Sequence, residues 1–310
     1  MIAEAGLVAA RFLHLACAIV LFGASLSPLY LRLRADSSRR LGHQLRPILT
    51  TATFGAVLSG LAWFGFTVAN MSGALADVLD SETLSSVLWD TDFGHVWAAR
   101  MLPMILLLGA SRLFGTSILG RLTDPFVASL AAVVLGSLAA VGHTQGDEGI
   151  SAGIHGLADA VHLLASGAWL GGLLPLSLFL APGLKAHISN DDVVVALWRF
   201  SGMGYAAVAA LLASGSINSW FLVGSLPRLV DTTYGQLLAL KLALFGLMLL
   251  LAVTNRFWLV PAIARSTSSS GSEALLIRLR RQIIGEQALG FAVVGIVSVL
   301  GTLAPAIQSS

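Results

Sequence analysis

Apolar and polar positions fall into long blocks along this chain. Eight apolar runs lie at about residues 6–31, 47–71, 93–113, 125–142, 154–182, 200–222, 235–257 and 283–305, each near the roughly 20 residues that a helix needs to cross a bilayer core. The pattern predicts an all-α fold: a polytopic membrane helical bundle of eight transmembrane helices. Between the runs, "ARSTSSSGSE" (264–273) reads as a flexible linker. The acidic stretch "NMSGALADVLDSETLSSVLWDTD" (70–92) reads as an outer loop with room for a short interfacial helix.

The order of small and polar residues inside these runs repeats. His14 precedes Gly23 by nine positions with Pro28 beyond, and His162 precedes Gly171 by nine with Pro175 beyond. "SGLAWF" (Ser59–Phe64) in the second run matches "SGSINSWF" (Ser214–Phe221) in the sixth. Gly94 and Arg100 stand six apart in the third run, as do Gly235 and Lys241 in the seventh. These matches predict two four-helix repeats, residues 1–150 and 151–310, in parallel orientation because four crossings return the chain to its starting side.

Composition strengthens the membrane reading. Of the residues, 56% are hydrophobic and 11% charged, against about 25% charged in soluble domains. The net charge of +2 does not call for a nucleic-acid partner, because fourteen of the eighteen Lys and Arg residues sit on one set of connections. Arg32, Arg34, Arg39, Arg40 and Arg46 follow the first run, and Arg256, Arg265, Arg278, Arg280 and Arg281 follow the seventh. Asp77, Asp80, Glu82, Asp90 and Asp92 lie on the alternate side. The positive-inside rule makes the arginine-rich side cytoplasmic and puts both termini outside, in the periplasm of a Gram-negative cell. Glu4 is the first charged side chain and no basic n-region precedes the apolar run, so a cleavable signal is not expected. Cys17, the single cysteine, has no partner for an intrachain disulfide.

With that topology the ionisable residues gather toward the outer half. "GIHGLADAVHLL" (153–164) carries His155, Asp159 and His162 at i, i+4 and i+7, which is one helix face. A carboxylate at membrane depth costs roughly 2.5–3.5 kcal/mol on insertion scales and commonly faces a cavity or a partner. His95 opens the third run and His143 follows the fourth, both at the outer face, while His14 and His162 lie deeper at matched positions. His155 and His162 are about 10 Å apart along a helix, too far to share one ion readily. The expected arrangement is a ladder, with His155, His95 and His143 outside, His14 and His162 inside, and Asp159 between them. Cys17, three residues beyond His14, adds a soft ligand deeper in. Imidazole suits Zn, Cu, Fe or Ni, and the thiol with Met71, Met101 and Met104 favours copper, as Cu(I) or Cu(II). Arg100 and Lys241 could each pair with a carboxylate such as Asp159, cap the cavity or form a buried structural ion pair, and Glu286 is expected to pair with neighbouring arginines.

The segments "GHT" (142–144), "HGLADAVHLLASGAWLGGLLPLSLF" (155–179), "YGQLLALKLALFGLMLLLAVTNRFWLVP" (234–261) and "GEQALGFAVVGIVSVLGTLAP" (285–305) resemble the CopD family of copper-resistance inner-membrane proteins. The resemblance implies an eight-helix inner-membrane protein that handles copper beside a separate periplasmic copper carrier and passes it across or into the membrane. No "GxxxxGK[ST]" phosphate loop is present, so ATP drive within the chain is not expected. Two further readings stay open at this point. His14 and His162 at equal depth could ligate haem b in a redox protein acting on copper or quinol, and the chain could be a structural membrane subunit. Membrane lipid is a partner in every case, and oligomeric state is not legible.

Overall fold

The computed structural model describes residues 2–111, 125–141, 149–266 and 269–308. The secondary structure among these residues is helical, and seven helices are long and apolar enough to cross a membrane: Ile2–Tyr30, Ala35–Ser72, Asp92–Ala110, Ile150–Phe179, Asn190–Val223, Thr233–Arg265 and Gly271–Leu300. An eighth apolar helix, Phe126–Val141, is shorter. The chain is an all-α polytopic membrane protein.

We label the main helices α1 (Ile2–Ser25), α2 (Ala35–Ser72), α3 (Asp92–Ser111), α4 (Pro125–Gly136), α5 (Gly149–Ser166), α6 (Asn190–Val223), α7 (Thr233–Thr254) and α8 (Ser269–Leu300). Large apolar side chains such as Leu58, Leu102, Leu157, Trp220 and Leu250 point outward, as expected of helices solvated by lipid. Leu41, Leu45 and Leu49 of α2 and Leu173, Leu176 and Phe179 beyond α5 fill the interior.

Two helices change pitch at a proline. The line of α5 continues through a π turn at Gly167–Gly171 into the helix Gly172–Phe179, and α7 continues through a π turn at Asn255–Leu259 into Val260–Arg265. Pro175 and Pro261 cannot donate to the backbone, and their rings crowd the carbonyls four residues earlier, Gly171 and Phe257. The wider turn relieves that crowding. Gly171 has a second task. A Cβ there would run into the backbone of Ile19 and Gly23, and a Cβ at Gly23 would run into Gly167 and Gly171. α1 and the π turn therefore meet backbone to backbone, as small residues permit in membrane bundles.

On the acidic side, α2 and α6 both end at a glycine with positive φ, Gly73 and Gly224, which ends each helix in the left-handed region. The loop after α2 holds a 3-10 turn at Leu75–Leu79 and a short helix at Ser81–Trp89. Asp80 caps that helix by accepting from the Thr83 amide and hydroxyl, which holds its carboxyl below the usual range. Thr91 and Thr232 start α3 and α7 in the same way, each accepting from the glycine amide three residues on and donating to the carbonyl four residues back. The stretch expected as a linker (264–273) is shorter than its serines suggested, because α8 begins at Ser269. Leu276, Leu279 and Ile283 are buried and hold that end of the helix to the core.

Candidate functional site

His155, Asp159 and His162 lie on one face of α5, and that face meets α6. The facing residues Ser214, Asn218 and Phe221 have the same i, i+4, i+7 spacing in the antiparallel direction. His155 is 3% exposed and stacks on Phe221, with ring centroids 4.7 Å apart and planes 5° from parallel. Asn218 Nδ2 donates to Asp159 Oδ1 at 3.1 Å. His162 Nδ1 lies 3.0 Å from Ser214 Oγ, with the Leu211 carbonyl as a further backbone partner. The Ser214 hydroxyl gives its own proton to the Ala210 carbonyl at 2.5 Å, so Nδ1 must be the donor to Ser214. His162 Nε2 therefore carries the lone pair, which is the atom an imidazole offers to a metal. Lys241 of α7 lies within electrostatic reach of both His162 and Asp159, and Tyr234 within reach of Asp159.

His14 occupies the corresponding setting on α1. Its ring packs over Gly60 as His162 packs over Gly215, and Ser59 stands to His14 as Ser214 stands to His162. His14 Nδ1 contacts the Ala56 carbonyl at 2.9 Å and Ser59 Oγ at 3.3 Å. The other nitrogen differs. Arg100 Nη2 approaches His14 Nε2 at 2.8 Å. A guanidinium can only donate, so Nε2 accepts and Nδ1 carries the proton. Arg100 also donates to the Val134 carbonyl at 3.3 Å, and Trp63 sets its edge against the imidazole at 5.6 Å. Both ring nitrogens of His14 are thus bonded at 1% exposure, with no lone pair left for a haem iron. Arg100 faces this histidine rather than a carboxylate.

The remaining candidates are dispersed. Cys17 is half-buried, free, and directed at Gly55 of α2, one position before the Ala56 carbonyl that holds His14. Met104 is buried and shares the space over Gly60 with the His14 ring. Met101 packs at the edge of the core, while Met71 is exposed. His95 is exposed on the first turn of α3, and His143 lies outside the described residues. Among the described residues no three His, Cys, Asp or Glu side chains converge into a group that could hold an ion. Glu286 accepts from Asn255 Nδ2 at 2.5 Å rather than from an arginine. Its arginine neighbours are engaged elsewhere, Arg280 with the Ser177 carbonyl and Arg256 over the Trp198 ring.

Sequence reasoning missed Ser59, Ser214, Asn218 and Trp63 as histidine and aspartate partners. The signal was present, since "SGLAWF" and "SGSINSWF" align serine with serine and glycine with glycine. As a match between runs it marks only the repeat.

The fold and the site define a polytopic helical membrane protein whose interior carries histidines held by serine hydroxyls, backbone carbonyls and a nearby cation. The chain belongs to the copper resistance protein D family. Residues 1–154 match the copper resistance protein D-like N-terminal domain, and residues 194–300 match copper resistance protein D. The chain is 33% identical over 308 residues to copper resistance protein D of Pseudomonas syringae pv. tomato, covering 97% of each. It is 32% identical over 306 residues to inner membrane protein YebZ of Escherichia coli (strain K12), covering 96% of this chain and 98% of that one. Copper transport protein CutJ of Bacillus subtilis (strain 168) is 28% identical over 263 residues, 83% of this chain and 45% of that longer protein. No solved structure matches the chain.

Proposed function

We propose that this protein handles copper in a bacterial inner membrane, taking the ion from the periplasmic side and passing it across or into the membrane along the His155–Asp159–His162 face. The observation that carries this reading is the packing of that face against Ser214, Asn218 and Phe221, in a chain of the copper resistance protein D family. An ionisable face set between helices, with His155 buried and Asp159 and His162 half-buried, rather than turned to lipid, is what a path for an ion requires. The Nε2 lone pair of His162 and the Asp159 carboxylate supply the inner rung, and His155, with His95 and His143, the outer one. His14, level with His162, forms with Cys17 a second inner station that opens to copper when Arg100 leaves the His14 Nε2. Both termini are periplasmic in this reading, residues 1–150 and 151–310 are two parallel halves, and a separate periplasmic carrier delivers the copper.

Cu(I) competition titration of the purified protein tests the site. Asp159→Asn and His162→Ala should each weaken the tightest copper site by about tenfold or more, the equivalent of at least about 1.4 kcal/mol. His43→Ala and His187→Ala, remote from the ladder, should leave it unchanged. Equal losses in all four variants at equal folding would overturn the assignment. His155→Ala should slow loading from dilute copper while leaving the inner rung loadable at high copper. Loss of the same single ion in every ladder variant would replace the ladder with one compact site.

A further inference from the structure

A cavity of about 270 Å³ lies away from the histidine face, between the π turn beyond α5, α6, the π turn beyond α7 and α8. Its walls are apolar, with aromatic faces from Trp169, Phe200, Tyr205 and Phe257. Tyr205 is 51% and Phe257 58% exposed, so the mouth opens on the outer surface of the bundle, which lipid covers. Asn255, Arg256 and Glu286 also line the cavity. The Glu286 carboxyl, 2% exposed, accepts from Asn255 Nδ2. That bond leaves Asn255 Oδ1 buried with no hydrogen-bond partner, and Arg256 Nε is buried and unpartnered beside it. The π turn at Asn255–Leu259 presents these consecutive residues to one cavity. Single π turns inside α-helices recur at functional sites.

A buried acceptor and a buried donor left without hydrogen-bond partners on consecutive residues carry a desolvation cost that a ligand can relieve. We propose that this cavity binds a neutral, lipid-soluble ring compound bearing a hydroxyl or carbonyl, the chemistry of an isoprenoid quinol or quinone. Asn255 Oδ1 accepts from a ring hydroxyl, Arg256 Nε–H donates to a ring oxygen, and the aromatic walls cover the ring faces. The volume is at the small end of the roughly 300–1,000 Å³ usual for ligand sites, which suits a ring head with its tail left in lipid. Glu286 lines the same cavity, and an anionic head drawn to Arg256 is the competing occupant that the test separates. The inference stands apart from the copper reading and shares no residue with the ladder.

The test is titration of the detergent-purified full-length protein with decylubiquinone, followed by quenching of tryptophan fluorescence, since Trp169 lines the cavity and Trp198 lies under Arg256. Gly204 also lines the cavity, and a Cβ there meets nothing within 4 Å, so Gly204→Leu has an open start from which to occupy the space. Saturable quenching in the wild type should weaken about tenfold or more in Gly204→Leu, with copper binding and thermal unfolding unchanged. Arg256→Lys keeps the charge and removes the Nε donor, and should also weaken decylubiquinone by about tenfold. Identical quenching in the wild type and both variants would overturn the proposal. Displacement of decylubiquinone by lower concentrations of dodecanoic acid or dioleoylphosphatidylglycerol would also overturn it, and would assign the cavity to an anionic lipid head.

Discussion

His14 and His162 are built alike around Nδ1 and differently around Nε2. Each ring rests over a glycine beside a serine, but Arg100 occupies the second nitrogen of His14, whereas the Nδ1 donation of His162 to Ser214 sets its lone pair on Nε2. One side chain therefore decides whether the His14 nitrogen is open to a ligand. Arg100→Met removes the donor while keeping apolar bulk, and strands a buried imidazole acceptor. The variant should lose about 1–3 kcal/mol of stability in thermal unfolding. It should also gain a copper equivalent that disappears in the double variant with His14→Ala. No added copper in Arg100→Met at intact folding would remove His14 from the path.

Helices in this molecule are positioned by where they lack side chains as much as by where they have them. Gly23→Ala and Gly171→Ala each place a methyl group inside the facing backbone, where neither helix can yield locally. Each should cost about 1–3 kcal/mol or more, or abolish folded yield in size-exclusion chromatography. Gly246→Ala in α7 meets nothing within 4 Å and should be neutral or stabilise by up to about 1 kcal/mol, so the pair separates contact from helix propensity. The short outer helix behaves differently. Asp80 has a depressed folded carboxyl pKa, so its capping is present above the ordinary carboxylate range and is lost as pH falls through the folded value. Apolar run length made the main helices legible in the sequence. Pro175 and Pro261 did not say that a π turn would precede them, because that depends on what packs against Gly171 and Asn255. The polar partners were harder to read. His14 meets Ser59 and Arg100 across gaps of 45 and 86 residues, and His162 meets Ser214 across 52, separations that only helix register converts into contact.

Across the whole molecule, the arginine-rich end and the acidic end define an orientation that labelling can check. In a Cys17→Ser background, Ser81→Cys and Ser225→Cys should react with a membrane-impermeant maleimide in intact cells, since both positions are exposed on the acidic side. Asn190→Cys, exposed at the opposite end, should react only after lysis. The reverse pattern would turn the protein over in the membrane and place the His155 end of the ladder in the cytoplasm. The matched settings of His14 and His162 were visible in the sequence as spacing alone, because glycine and serine recur at fixed offsets whatever the surrounding apolar residues do. Cys17 and His95 were legible as residue types but not as places, since half-burial against Gly55 and exposure at a helix start depend on helix rotation.

The meeting of Gly23 with Gly171 has a mechanical side. Backbone pressed on backbone at one level cannot part there without opening a void that lipid tails fill poorly, and the α1 side chain set closest to a glycine of the π turn is Phe22, over Gly167. α1 and the line of α5 are therefore joined as by a fulcrum, with His14 and His162 each nine residues along the arm toward the same end. Tilting that spreads the histidine end must narrow the arginine-rich end, and the reverse.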